Sequence, residues 1–142
     1  MKFSKLLLAA GLLAFSLVAD AQVFNQWPSQ ASSLVSAIAP ATPAVSTPKA
    51  SAGVVTQISC FNILATPVYV KLFDASSVTL GTTAATYQFM CPGNTAGAGF
   101  VISFPWALTF ATQIKYAVTG SIATNDNTSI TAASVIVNIG FN

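Results

Sequence analysis

Histidine, arginine and glutamate are absent from this 142-residue chain, and charged side chains make up only 6% of it, as five Lys and three Asp. A typical soluble domain carries roughly 25%. Each absence removes a class of function. Without His there is no Ser/His/Asp triad, and the most common general base and metal ligand is missing. Without Glu, and with Asp20, Asp74 and Asp126 far apart, there is no carboxylate pair for acid/base work and no dense oxygen cage for a metal. A lysine-activated serine would need Lys71 or Lys115, and both read as mid-strand residues on an outward face. The expectation is a protein that is not an enzyme, with no catalytic residues, metal or cofactor. Nucleic acid is excluded as a partner because phosphate neutralisation needs several clustered Lys or Arg.

The N-terminus explains part of the remaining charge. Lys2 and Lys5 precede an apolar run from Leu6 to Val18, and Ala19-Asp20-Ala21 has the small-x-small pattern of a cleavage site. Residues 1–21 therefore read as a secretory signal peptide. The run is shorter than the roughly 20 residues that cross a bilayer, so a permanent anchor is the weaker reading. No stable membrane insertion is expected after cleavage. What remains carries three Lys and two Asp. The protein is expected to be secreted, periplasmic or displayed at the cell surface.

Residues 22–52 are rich in Ala, Ser and Thr and hold Pro28, Pro40, Pro43 and Pro48, the composition of an extended linker. Within it Ser29 could cap a short helix to Ala39, with Leu34, Val35 and Ile38 on one side. The arm is either mobile or docked through Trp27 and Leu34 on its own domain or a neighbouring subunit.

From Gly53 the hydrophobic period becomes two. Val68, Val70 and Leu72 alternate with Tyr69, Lys71 and Phe73; Phe100, Ile102 and Phe104 alternate with Val101 and Ser103. Ile114, Tyr116 and Val118 form another such row, and Val135, Val137, Ile139 and Phe141 a fourth. Runs 54–64 and 83–91 are also rich in strand-forming residues, and Val78-Thr79-Leu80 could make a short edge strand. Turn chemistry separates them at Ala65-Thr66-Pro67, 74–77, Pro92-Gly93-Asn94, Phe104-Pro105 and Asn125-Asp126-Asn127. The fold expected for residues 53–142 is all-β: an antiparallel β-sandwich of six to seven strands, of Greek-key or jelly-roll type.

Cys60 and Cys91 lie near the ends of two of these strands, and an exported chain would meet an oxidising compartment. A Cys60–Cys91 disulfide is predicted; two reduced, buried thiols are the alternative. Asn125-Asp126-Asn127 reads as a solvated turn, since a single carboxylate is too little for calcium.

The outward positions Tyr69, Phe73, Val101, Ala117 and Ile136 are too apolar for so few charges to shield, and apolar surface of this kind marks a partner interface. A transmembrane barrel would also put apolar residues outside. Six or seven strands fall short of the eight it needs, and Ser103, Lys115 and Asn138 interrupt the rows. A homo-oligomer or larger protein assembly is expected, with Trp27, Tyr69, Phe73, Trp106, Asn125, Asp126 and Asn127 as interface or ligand contacts. The alternative is a binding module for a glycan or cell-surface ligand, with Trp106 as the stacking platform, although a buried Trp106 anchoring the sandwich is the stronger reading of that residue.

Four segments, Tyr69-Val70-Lys71-Leu72-Phe73-Asp74, Phe104-Pro105-Trp106-Ala107-Leu108-Thr109-Phe110, Ile114-Lys115-Tyr116-Ala117-Val118-Thr119-Gly120 and Asn125-Asp126-Asn127-Thr128, give residues 53–142 a pattern that resembles small β-sandwich proteins encoded among the structural genes of tailed bacteriophages and prophages. The resemblance implies a virion-associated or surface-displayed sandwich without catalytic activity. The chain differs from that group in its export signal, which favours a secreted or cell-surface use of the same fold.

Overall fold

The computed structural model describes residues 33–142; the leader, the first part of the linker and Trp27 lie outside the described residues. The period-two segments become eight strands: β1 (Ser33–Ile38), β2 (Ser46–Lys49), β3 (Gly53–Asn62), β4 (Val68–Phe73), β5 (Tyr87–Cys91), β6 (Ala98–Phe110), β7 (Ile114–Thr119) and β8 (Val135–Phe141). They pair antiparallel into two sheets of four. Sheet A runs β1-β8-β3-β6 and sheet B runs β2-β7-β4-β5. The pairs β1·β8, β2·β7, β3·β6 and β4·β5 are nested, as in one long hairpin rolled up so that its alternate pairs fall in opposite sheets. This is the strand order of a jelly roll.

The strand count exceeds the expected six to seven because the segment read as linker supplies β1 and β2. The helix anticipated over Ser29–Ala39 is instead strand from Ser33 onward. Val35 and Ala37 alternate with Leu34, Ser36 and Ile38, and pairing with β8 satisfies backbone groups that an isolated short helix would leave to water. Val35 and Ala37 pack on the core while Leu34 points outward, 68% exposed. The described part of the arm thus docks on its own domain, through Val35 and Ala37 rather than Leu34. Val78-Thr79-Leu80 is not a strand; it belongs to the irregular connection between β4 and β5.

The core lies between the sheets. Val55, Ile58, Cys60, Val137 and Ile139 of sheet A meet Val68, Val70, Leu72, Ile114 and Tyr116 of sheet B, and all are buried. At roughly 25 cal/mol per Å² this burial is the main stabilising contribution. The open side between edge strands β5 and β6 is closed by aromatics: Phe89 packs on Phe100 and Phe104 with ring centres 6.2 and 5.7 Å apart, and Tyr87 meets Phe110 edge-on at 5.7 Å. The Cys60–Cys91 disulfide, with Cα atoms 6.0 Å apart, joins β3 to β5 and so ties sheet A to sheet B.

Phe104-Pro105 is not the turn between two strands that its proline suggested. One strand, β6, continues through it. The ladder from β3 breaks there: Val55 faces Leu108 and Gln57 faces Ser103, so Thr56 alone stands opposite Phe104-Pro105-Trp106-Ala107. Pro105 cannot donate to a ladder, and β6 is an edge strand, where a bulge accommodates it.

Candidate functional site

The outer faces of the two sheets differ. On sheet B, alternate residues of β4 and β7 point away from the core, yet Lys71, Phe73, Ala117 and Thr119 are all buried. The connections 74–86 and 120–134 fold over them. These two segments bond to each other, Ala85 N–H to the Thr124 carbonyl at 2.9 Å and Asn125 Nδ2 to the Gly81 carbonyl at 3.3 Å. Lys71 Nζ donates from below to the carbonyl of Ala123. Phe73 and Ala117, expected to face a partner, are therefore covered by their own chain, and Tyr69 is half-buried. The near-continuous apolar run Val68–Phe73 carries the signal of a strand buried on both faces.

Lys71 likewise departs from its expected outward exposure: it is 0% exposed. Burial pushes its pKa below the ordinary lysine value, and the Asp126 carboxylate opposes that shift. Asp126 is itself raised by burial, but hydrogen bonds outweigh this. The side chain and backbone of Thr128 and the N–H of Ser121, which donates at 3.0 Å, leave it below the ordinary carboxylate range. The Thr119 hydroxyl lies beside the same carboxylate and helps to lower it, although no hydrogen bond of standard geometry closes between them. The segment Asn125-Asp126-Asn127 is thus more than a solvated turn, because its aspartate anchors the cover of sheet B over Lys71.

Among the described residues, no connection covers the outer face of sheet A. Register places Ile38, Ile136, Phe61 and Gly99 in one row across β1, β8, β3 and β6, and Ser36, Asn138, Ser59 and Val101 in the next. Leu34, Ile38, Phe61, Val101 and Ile136 are five of the nine large hydrophobics exposed among the described residues, and all five lie on this face. The only side-chain hydrogen bond within these two rows is Asn138 Nδ2 to Ser59 Oγ, 3.0 Å. None of the strands of sheet A carries a charge. The charges among the described residues, Lys49, Lys71, Asp74, Lys115 and Asp126, belong to sheet B or to the connections that leave it.

Between β3 and β6 this face is recessed into an open trough of about 470 Å³, lined by Ser59, Phe61, Gly97, Gly99, Val101 and Asn138 among others. Glycine lets β3 and β6 approach closely here: a Cβ at Gly99 would collide with the Cys60 carbonyl, and Gly97, with φ +96°, lies beneath the Phe61 ring. On the same strand, within the ladder break, Trp106 is 83% exposed rather than buried as an anchor of the sandwich, because the bulge carries it out of the ladder.

The residues expected to make contacts therefore divide. Trp106, Val101 and Ile136 are exposed on sheet A; Tyr69, Phe73, Asn125, Asp126 and Asn127 belong to sheet B and its cover. Among the described residues, no group of three or more His, Cys, Asp and Glu is placed to hold a metal ion. No helix among them is long and apolar enough to cross a membrane. Comparison with protein-family models, with curated proteins and with solved structures gave no match to the chain.

Proposed function

We propose that the chain is an exported, non-enzymatic structural subunit, surface-displayed or virion-like, which self-associates through the outer face of sheet A. The observation that carries this reading is the contrast between the two outer faces. Two long connections cover the apolar groups and the lysine of sheet B, whereas among the described residues the apolar, uncharged face of sheet A is open. Such a face is costly in water and inexpensive to bury against another uncharged surface, because no ion is desolvated. A second copy fits it without charge repulsion.

Export is supported by the N-terminal leader pattern and by the disulfide, which persists in oxidising compartments. The resemblance to phage-encoded sandwiches agrees with a structural role, as does the jelly-roll strand order, an architecture that recurs in capsid and lectin domains. The glycan-binding alternative has Trp106 in its favour. A sugar platform also needs polar groups around the ring, and Asn125, Asp126 and Asn127 belong to the other layer of the sandwich.

The test is light scattering of the exported protein over a range of concentrations, beside Leu34→Lys. Growth in mass that the lysine abolishes, with an unchanged circular dichroism spectrum, supports self-association through sheet A. A strict monomer, or assembly indifferent to Leu34→Lys, contradicts it.

A further inference from the structure

Resting on the self-association just proposed, we infer that copies are joined by strand donation: residues 22–27 of one chain pair with the free edge of β6 in the next. Each sheet has two edge strands, and the four edges are not alike. In sheet B, β2 has four residues, among them Pro48 and Lys49, and β5 has five. Short strands, proline and lysine are devices that keep an edge from pairing. Sheet A is less protected. β1 has six uncharged residues, and β6 is uncharged over its 13 residues, with residues 98–104 preceding its proline. Among the described residues only β3 pairs with β6, so the other side of that run presents backbone N–H and C=O groups to no strand. Such a row is a template for an added strand, held by main-chain hydrogen bonds.

The occupant comes from the chain outside the described residues. With the leader removed after Ala21, residues 22–32 precede β1. Gln22-Val23-Phe24-Asn25-Gln26-Trp27 carries three strand formers and no charge, and Pro28 follows directly, where it ends a ladder. This arm does not serve its own β6. It leaves from Ser33, which pairs with Phe141, the last residue of β8, so a straight continuation of β1 runs off the sheet. β8 and β3 stand between β1 and β6. A strand added beyond β6 therefore lies four strand spacings from β1, about 19 Å. From Ser33 to Trp27 the chain spans at most about 20–22 Å, and it must turn out of β1 and again into the new strand. No residues are left for those turns, so the arm that reaches β6 is a second copy's. Alternate side chains of the added strand continue the outer face of sheet A beside the exposed Val101, bringing either Phe24 or Val23 and Trp27 onto it. Because arm and edge are different parts of one molecule, donation is heterologous. Two copies that exchange arms close a dimer, and one-way donation builds a ring or a filament.

The experiment compares the exported full chain with a variant carrying both Phe24→Pro and Asn25→Pro. Consecutive prolines remove an N–H from each side of the arm, whichever side pairs, and lie outside the sandwich. Sedimentation velocity gives the mass, and hydrogen exchange read by mass spectrometry follows residues 98–104 over the same concentrations. The unaltered protein should grow in mass as concentration rises, and exchange in residues 98–104 should slow about tenfold or more once most chains are assembled. The proline variant should stay monomeric, with fast exchange in β6 throughout. Assembly that persists in the variant overturns strand donation and leaves self-association through sheet A standing. Assembly that needs the arm but leaves β6 exchange unchanged puts the arm elsewhere and also overturns donation. Exchange in β6 that is already slow in the dilute monomer does the same, since the edge is then closed within one chain. A monomer at all concentrations overturns both readings.

Discussion

The Asp74 carboxylate, at the end of β4, accepts the backbone N–H of Thr112 at 2.7 Å. It also takes those of Ala111 at 2.7 Å and Gln113 at 3.4 Å. Residues 111–113 carry the chain from β6 in sheet A to β7 in sheet B, so one side chain holds the crossing between layers. Its pKa lies below the usual 3.8, chiefly because of the Ala111 N–H. Burial opposes that shift, while the N–H groups of Thr112 and Gln113 and the Thr112 side chain reinforce it.

Asp74→Ala should therefore destabilise the fold by about 1 kcal/mol, below the ~1.5–3 kcal/mol of hydrogen bonds to charged groups because the site is open to solvent. A carboxyl whose pKa is lower folded than unfolded gives stability that is complete above the unfolded value. That stability is lost as pH falls through the folded value. Thermal midpoints measured from pH 6 to pH 2 should fall below about pH 4, and Asp74→Ala should flatten part of that fall. An unchanged acid limb would show that the staple contributes nothing.

Lys71 is the second site to probe. Lys71→Ala leaves a cavity, deprives the Ala123 carbonyl of its donor and removes the positive charge that Asp126 feels, so a loss of about 3 kcal/mol is expected in urea unfolding. Lys71→Met, which fills the space without burying an ammonium, should recover much of that loss. If Lys71→Ala is as stable as the unaltered protein, the cover of sheet B does not depend on this contact.

The Cys60–Cys91 bridge closes a sequence separation of 31 residues. Chain entropy alone then predicts that replacing both cysteines with alanine costs ~3–4 kcal/mol, with any loss of packing adding to it. Denaturation of oxidised and reduced protein should show the same gap. Equal midpoints would mean that the aromatic seam at Phe89, Phe100 and Phe104 holds the sheets together unaided.

Val137→Asp, at a position 1% exposed in the middle of sheet A, places a carboxylate between the layers. With total stability of roughly 5–15 kcal/mol, no folded protein should be recovered, as judged by circular dichroism and solubility. A folded variant would refute the orientation of β8.

The inward rows of β4, β6, β7 and β8 were legible because alternation over four or more residues specifies which face is buried, and Val68, Ile102, Ile114 and Val137 all point to the core as read. The outward rows were not. Alternation says which side faces away from the partner sheet, but not whether a loop returns to cover it. That return decides the fate of Phe73, Ala117 and Lys71, and it depends on long-range bonds such as Ala85 to Thr124. β1 was hidden for a related reason: its Ala/Ser/Pro-rich surroundings have weak local preference, and pairing with β8, distant in sequence, makes Ser33–Ile38 a strand. Trp106 stood out in the sequence, whereas the bulge that exposes it required the β3 register.

The central claim is that the uncharged face of sheet A is an assembly surface. Sedimentation equilibrium of the exported protein, beside an Ile136→Lys variant with an intact fold, tests it most directly. The account predicts a mass that rises with concentration for the unaltered protein and a constant monomer mass for the variant. A monomer mass for both across the accessible concentrations would contradict it.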